Sequence, residues 1–149
     1  MIVVEPTETS HAALLDRGGA APAIKAGQPR RLQRSRRKGT RTPDGVIYAG
    51  RPSWFGNPFQ SKRFGHARSV TLYGLWIERR LGALSLGKLG FSPHEIDALA
   101  RWRHRLDREL PRLFGRDVEC WCPVSSRWCH VDIPMAYAER VRAEQREAA

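Results

Sequence analysis

The sequence VECWCPVSSRWCHVD occupies residues 118–132. Val118–Trp121 includes β-branched and aromatic residues, which is typical of a strand, and Pro123 predicts a turn directly after it. Asp132 is placed to cap a helix that begins near Pro134. The stretch therefore predicts a strand, a loop and a helix in direct succession, and it contains all three cysteines of the chain.

A second short strand is predicted at Val46–Ala49, where a β-branched and aromatic run lies between turn residues. The segment that follows, Gly50–Phe59, contains two glycines, two prolines and three aromatic residues. Glycine and proline predict an ordered loop here, and three aromatic side chains in one loop indicate that it packs against the core.

The segment between the two strands is predicted to be helical. Apolar residues recur at helical spacing from about Ser69 to Leu81, and Ser92-Pro93-His94-Glu95 is a capping box that starts a further helix. Strands joined by a helical crossover are normally parallel. We therefore predict an α/β fold, a small single domain with a short, mainly parallel sheet flanked by helices. A third strand is expected from residues 60–66 or from the N-terminal part.

The N-terminal part is strongly basic. The chain of 149 residues has a formal net charge of +11, and residues 1–42 carry nine Lys/Arg against three acids, a balance of +6. We predict a disordered basic arm over residues 1–40 and an α/β domain, with both motif loops, over residues 41–149. Such an arm would bind nucleic acid nonspecifically through phosphate contacts, or would be a solvated tail.

Composition also narrows the class of protein. The sequence contains no apolar run near the roughly 20 residues of a membrane span, and it does not begin with a charged leader followed by an apolar core. The cysteines do not form a disulfide framework, which is typical of a reducing compartment. We therefore expect a cytoplasmic protein without a membrane partner.

The cysteine loop is the first candidate site. On a strand alternate side chains share a face, so Cys120 and Cys122 point together, and the turn at Pro123 brings Cys129 and His130 back. Three thiolates and an imidazole predict a tetrahedral metal site, for which zinc is the expected ion. In a second interpretation Cys122 is a catalytic nucleophile and His130 or Asp132 its base or orienting group. In a third, the cysteines are core residues.

The Gly50–Phe59 loop is the second candidate site. Arg51 could hold a phosphate or carboxylate, and Ser53 and Asn57 supply further polar groups. In parallel sheets the loops that follow the strands lie at one edge, where open α/β sheets bind ligands. We therefore predict a cleft between this loop and the cysteine loop that binds an anionic small molecule or nucleotide. In the alternative interpretation the loop only closes the core.

These motifs together resemble a known family. Gly50-Arg51-Pro52-Ser53 with Gly56-Asn57-Pro58-Phe59, then Cys120-Trp121-Cys122 and Cys129-His130-x-Asp132, are similar to the motifs of domain-of-unknown-function family 4326, which is found in bacteria and phages. The resemblance covers about residues 41–140 and implies a small α/β domain. The family pattern maps onto Gly50, Arg51, Gly56, Asn57, Pro58, Phe59, Cys120, Cys122, Cys129, His130 and Asp132.

Two classes of function follow from these features. The first is a small enzyme that acts on a nucleotide or another anionic ligand in the cleft between the two loops. The second is a noncatalytic, zinc-stabilised module that binds nucleic acid. The loop carrying Arg51 and Asn57 favours the enzyme, and the basic N-terminal part favours the binding module.

Overall fold

The computed structural model of the protein describes residues 27–149. Its centre is a sheet of three short strands, β1 (Arg31–Gln33), β2 (Ile47–Tyr48) and β3 (Val118–Cys120). β3 lies in the middle and pairs in parallel with β1 on one side and with β2 on the other. The predicted parallel sheet and the α/β class are confirmed.

Helices surround this sheet. The described residues form α1 (Ser61–Phe64), α2 (His66–Ile77), α3 (Ala83–Lys88), α4 (Pro93–Glu109), a short 3-10 turn (Leu110–Leu113) and α5 (Asp132–Ala148). The predicted capping box at the start of α4 is present, since the Ser92 hydroxyl accepts from the Glu95 amide and the Glu95 carboxylate accepts from the Ser92 amide. None of these helices is long and apolar enough to cross a membrane.

The third strand corrects the predicted domain boundary. The disordered arm expected over residues 1–40 is wrong for residues 30–34, because the Val118 amide donates to the Arg30 carbonyl and the Arg34 amide to the Cys120 carbonyl. These ladder bonds, and an ion pair of 2.9 Å between Arg30 and Asp117, offset the repulsion among the arginines. Residues 60–66, the other expected source of a strand, are mostly helical. Residues 1–26 lie outside the described part of the chain.

The apolar core lies between one face of the sheet and the helices. Val118 and Leu106 are completely buried there, as is Tyr73. The Tyr73 hydroxyl donates a hydrogen bond of 2.9 Å to the carbonyl of Phe55. Phe55 and Phe59 are themselves buried, so the Gly50–Phe59 loop is packed against the core, as its aromatic residues predict.

A buried arginine joins three of the helices. Arg103 on α4 is 7% exposed and donates to the carbonyl oxygens of Trp76 and Ile77, at the C-terminal end of α2. It also donates to the Tyr137 hydroxyl on α5 and pairs with Asp107 at 3.0 Å. The Ile77 carbonyl thereby gains the partner that the helix end leaves it without, whereas the Trp76 carbonyl also accepts from the Arg79 amide. α2 ends at Ile77, earlier than its apolar pattern predicts.

We expect Arg103→Met to lower the free energy of unfolding by about 3 kcal/mol, because it leaves the buried Ile77 carbonyl without a donor and removes the bonds to the Trp76 carbonyl, the Tyr137 hydroxyl and Asp107. Arg105→Met is the matched control, since Arg105 is exposed on the same helix and contacts the ring of Trp54. Urea unfolding followed by circular dichroism measures both variants. Equal midpoints for the two variants would show that Arg103 does not hold the helices together.

Candidate metal centre

The three cysteines converge at the end of the central strand. The sulfur atoms of Cys120, Cys122 and Cys129 all lie within 4.8 Å of one another, and the Cys120 and Cys129 sulfurs are 3.3 Å apart. Zinc–sulfur bonds of about 2.3 Å in a tetrahedral site place sulfurs about 3.8 Å apart. The predicted clustering of the cysteines is confirmed, and the spacing of their sulfur atoms fits one metal ion.

Local structure explains the convergence. Cys120 ends β3 and is completely buried with that strand. A turn follows in which the Ser126 amide donates to the Pro123 carbonyl, and the chain returns so that the Asp132 amide bonds to the Cys129 carbonyl at the start of α5. Cys129 is 1% exposed, whereas Cys122 is partly exposed. The cluster therefore has two buried thiols and one that solvent can reach.

The crowded sulfurs shift one another's ionisation. A hydrogen bond from the Cys120 thiol lowers the pKa of Cys129 to about 5, although burial opposes this shift. The same contact, together with burial, raises the pKa of Cys120, while burial and the charge at Cys129 raise the pKa of Cys122. The contact between the two sulfurs therefore favours a thiolate at Cys129 over one at Cys120.

Arg31 on β1 is a site residue that the sequence analysis assigned to the disordered arm. Its guanidinium donates to the carbonyls of Val124 and Ser126 in the cysteine loop and pairs with Asp132 at 3.0 Å. The side chain is only 12% exposed, and its charge lowers the pKa of Cys129. Arg31 therefore fixes the loop and stabilises negative charge on the cluster.

His130 lies beside the cluster but is not one of its closest members. Its Nε2 atom is 3.2 Å from the carbonyl oxygen of Ala49, and burial lowers its pKa, which favours the neutral imidazole. Within residues 27–149, the group of donor atoms that lie within 4.8 Å of one another consists of the three cysteines. A role for His130 as fourth ligand stays a prediction.

The residues predicted to bind a ligand have other partners. Arg51 donates to the Asn57 carbonyl at 2.9 Å. The Asn57 amide donates to the carbonyl and hydroxyl oxygens of Ser69, and its Oδ1 accepts from the Phe59 amide. Asn57 is 8% exposed, so its side chain holds the loop together. Ser53 differs from them: its Oγ is buried and has no hydrogen-bond partner among residues 27–149.

The two motif loops lie at the same edge of the sheet and touch. His130 reaches the Ala49 carbonyl, and the Trp121 indole donates to the Tyr48 hydroxyl at 3.0 Å. Gly50 is required there, because any Cβ at this position would collide with the Tyr48 ring. A cleft that binds an anionic ligand between these loops stays a prediction, as do the catalytic roles of Cys122, His130 and Asp132.

The face of the sheet that points away from Cys120 carries an aromatic–arginine surface. This surface is formed by Arg34, Arg36, Tyr48 and Trp121. The guanidinium of Arg34 lies 4.6 Å from the Tyr48 ring centre and 5.2 Å from that of Trp121, and Arg36 lies 5.4 Å from the latter. Trp121 is 42% exposed although it stands between two clustered cysteines. Strand alternation explains this, because neighbouring residues point to opposite faces.

We expect Arg31→Met to lower the free energy of unfolding by about 2 kcal/mol, because it leaves the loop carbonyls without their donor. Backbone amides of the cysteine loop should also exchange faster with deuterium, because Arg31 holds the Val124 and Ser126 carbonyls. Arg30→Met is the matched control: Arg30 is the preceding residue, and its ion pair with Asp117 is exposed to solvent. Equal amide exchange in the two variants would contradict the proposed fixing of the loop.

Comparison with known proteins and protein families shows which family the chain belongs to. The model of the family described as Domain of unknown function (DUF4326) matches residues 32–140, a span that begins within β1 and ends within α5. The comparisons with curated proteins and with solved structures found no match. The family match covers both motif loops, β2, β3, the last two residues of β1 and the cysteine cluster. The chain belongs to the DUF4326 family.

Proposed function

We propose that the protein is a zinc-stabilised module that binds single-stranded nucleic acid, with Trp121 as a stacking platform for a base. The observation that carries this proposal is the position of Trp121. It lies between Cys120 and Cys122, exposes 42% of its surface, and has the guanidinium groups of Arg34 and Arg36 close to its ring.

The donor set of the cysteine cluster supports zinc. Thiolate ligands select soft or borderline metals, and the three sulfurs here lie close enough together to hold one metal ion. His130 is the proposed fourth ligand through Nδ1, because its Nε2 already faces the Ala49 carbonyl. Metal-bound histidines usually donate their other ring N–H to such an acceptor. The zinc would hold both ends of the Cys120–Cys129 loop, and Trp121 with it.

The aromatic–arginine surface supports single-stranded nucleic acid as the partner. Bases stack on exposed aromatic rings and on guanidinium planes only when they are unpaired, since paired bases hide their faces inside a helix. Trp121 offers an indole ring, and the guanidinium groups of Arg34 and Arg36 lie over it, where they add planar cations to the stacking surface. No ion pair of the described residues involves Arg36, Arg37 or Lys38. These cations are therefore available to phosphates.

The zinc proposal predicts metal content. Protein purified without a polyhistidine tag should contain one zinc ion per chain by mass spectrometry of the metal. Cys122→Ser should lower both the zinc content and the melting temperature, because it removes a ligand. Ser125→Ala, in the same loop and exposed, is the control and should keep the metal. Unchanged zinc stoichiometry in Cys122→Ser would exclude this cysteine as a ligand.

The stacking proposal predicts a selective loss of binding. Trp121→Ala should weaken binding to an oligonucleotide of about ten nucleotides by roughly 5- to 150-fold, which corresponds to the 1–3 kcal/mol of one base stack. Trp54→Ala is the matched control, since Trp54 is 38% exposed and lies outside the aromatic–arginine surface. Fluorescence anisotropy measures both. Equal losses in the two variants would exclude stacking on Trp121.

Salt dependence tests the contribution of the cations. Replacing Arg36, Arg37 and Lys38 together by glutamine should reduce the slope of log K against log salt concentration by about one for each phosphate that is no longer neutralised. Affinity for all sequences should fall alike, because phosphate contacts do not distinguish bases. A slope equal to that of the wild type would show that these residues do not contact phosphate.

A further inference from the structure

A cavity lies away from the contact between the two motif loops, between the end of the Gly50–Phe59 loop, α1 and α4. Its volume is about 290 Å³. Aromatic rings form much of its wall, and an ion pair and a helix alanine also line it. These residues are Phe64, Phe91, Trp102, Arg63, Glu95 and Ala98. The size is close to the lower end of the range for small-molecule sites.

The walls of this cavity are held in place by contacts among themselves. The rings of Phe64 and Phe91 are stacked, with centres 5.7 Å apart and planes 21° apart. The Arg63 guanidinium lies 4.3 Å from the Phe91 ring centre and donates to the carbonyl of Gly90. Trp102 is fixed from the other side, because its indole donates to the Trp54 carbonyl at 2.9 Å. The cavity is therefore preformed.

The interior of the cavity suits an uncharged planar ring. The positive charge of Arg63 in its wall is neutralised, because Arg63 pairs with Glu95 at 3.0 Å. Aromatic walls favour a flat π-system, which packs by stacked or edge-to-face contacts. The side-chain amide of Gln60 also lines the cavity and forms no hydrogen bond with the described residues. It offers a donor and an acceptor to polar atoms of a heterocycle.

The rim of the cavity is positively charged. Arg101 lies three residues after Ala98 on α4, and Arg105 lies three residues after Trp102, so both flank the cavity-lining face of the helix. Both arginines are exposed. Arg101 forms no ion pair within the described part of the chain. A ligand whose ring enters the cavity would therefore place an attached anionic group within reach of Arg101.

The geometry points to a second binding site in this cavity, for a small ligand that combines a planar heteroaromatic ring with an anionic group, as a nucleoside monophosphate does. The ring lies among Phe64, Phe91 and Trp102, and the anionic group contacts Arg101. This site shares no residue with the aromatic–arginine surface. It therefore does not depend on the function proposed above.

Calorimetry with the four common ribonucleoside monophosphates tests the site. At least one should bind, and Ala98→Leu should weaken that binding at least tenfold, because the larger side chain occupies the cavity. Ala100→Leu is the matched control: Ala100 is also exposed on α4 and does not line the cavity. Absence of binding for all four at millimolar concentration, or equal effects of the two substitutions, would overturn the proposal.

A second comparison tests the contributions of the ring and of the anionic group to binding separately. Arg101→Ala should weaken binding of the monophosphate while leaving binding of the matching nucleoside unchanged, and Arg108→Ala, farther along the same helix, should change neither. Inorganic phosphate that binds as tightly as the monophosphate would overturn the role of the ring. Trp121→Ala should keep monophosphate binding, so a failure of oligonucleotide binding and a failure of this site are distinguishable.

Discussion

The parallel pairing of β3 with strands on both sides is the constraint on which the rest of the structure depends. β3 contributes backbone bonds to β1 and to β2, so it is buried along its whole length. Parallel strands end at one edge, and therefore the loops after β2 and β3 must meet there. The same pairing brings Arg31, which is level with Val118, to the side of the sheet that carries Cys120. A sheet of three short strands thus assembles a site from segments that are far apart in the sequence.

Charge compensation explains why an arginine-rich segment can be part of this sheet. A cluster of thiols at the end of a buried strand disfavours additional negative charge. The hydrogen bond with Cys129 and burial raise the pKa of Cys120, and burial together with the charge at Cys129 raises the pKa of Cys122. Arg31 supplies a cation next to it, and Asp132 balances that cation from the start of α5. On the other face Glu119, which is 4% exposed, accepts from Thr42 and lies 3.7 Å from Arg34. Arg31 in β1 and Arg34 directly after it are therefore held by specific partners on opposite faces.

Sequence reasoning was most successful where the pattern is local. The strands near Ile47 and Val118 show β-branched residues between turn residues, and the capping box at Ser92 is complete within four positions. The N-terminal part was one of two expected sources of a third strand, but β1 could not be located there, because a run of arginines has no strand pattern and the pairing depends on tertiary contacts. The role of Asn57 could not be predicted from the sequence either. An asparagine in a glycine-rich loop is compatible with ligand binding and with a structural role, and only its contacts with Ser69 reveal the structural role.

The Gly50–Phe59 loop lies between the candidate metal centre and the cavity beside α4. Its rigidity decides whether binding at one of these sites can affect binding at the other. Its start touches His130 through the Ala49 carbonyl just before it, while Pro58 near its end lines the cavity beside α4. Coupling between two sites requires an intervening element with two alternative arrangements. Here the side chain of Asn57 is bonded to Ser69 on α2 and to the Phe59 amide, and Tyr73 fixes the Phe55 carbonyl. A second arrangement would break these bonds in an apolar environment, so the loop separates the metal centre from the cavity and the two sites should bind independently.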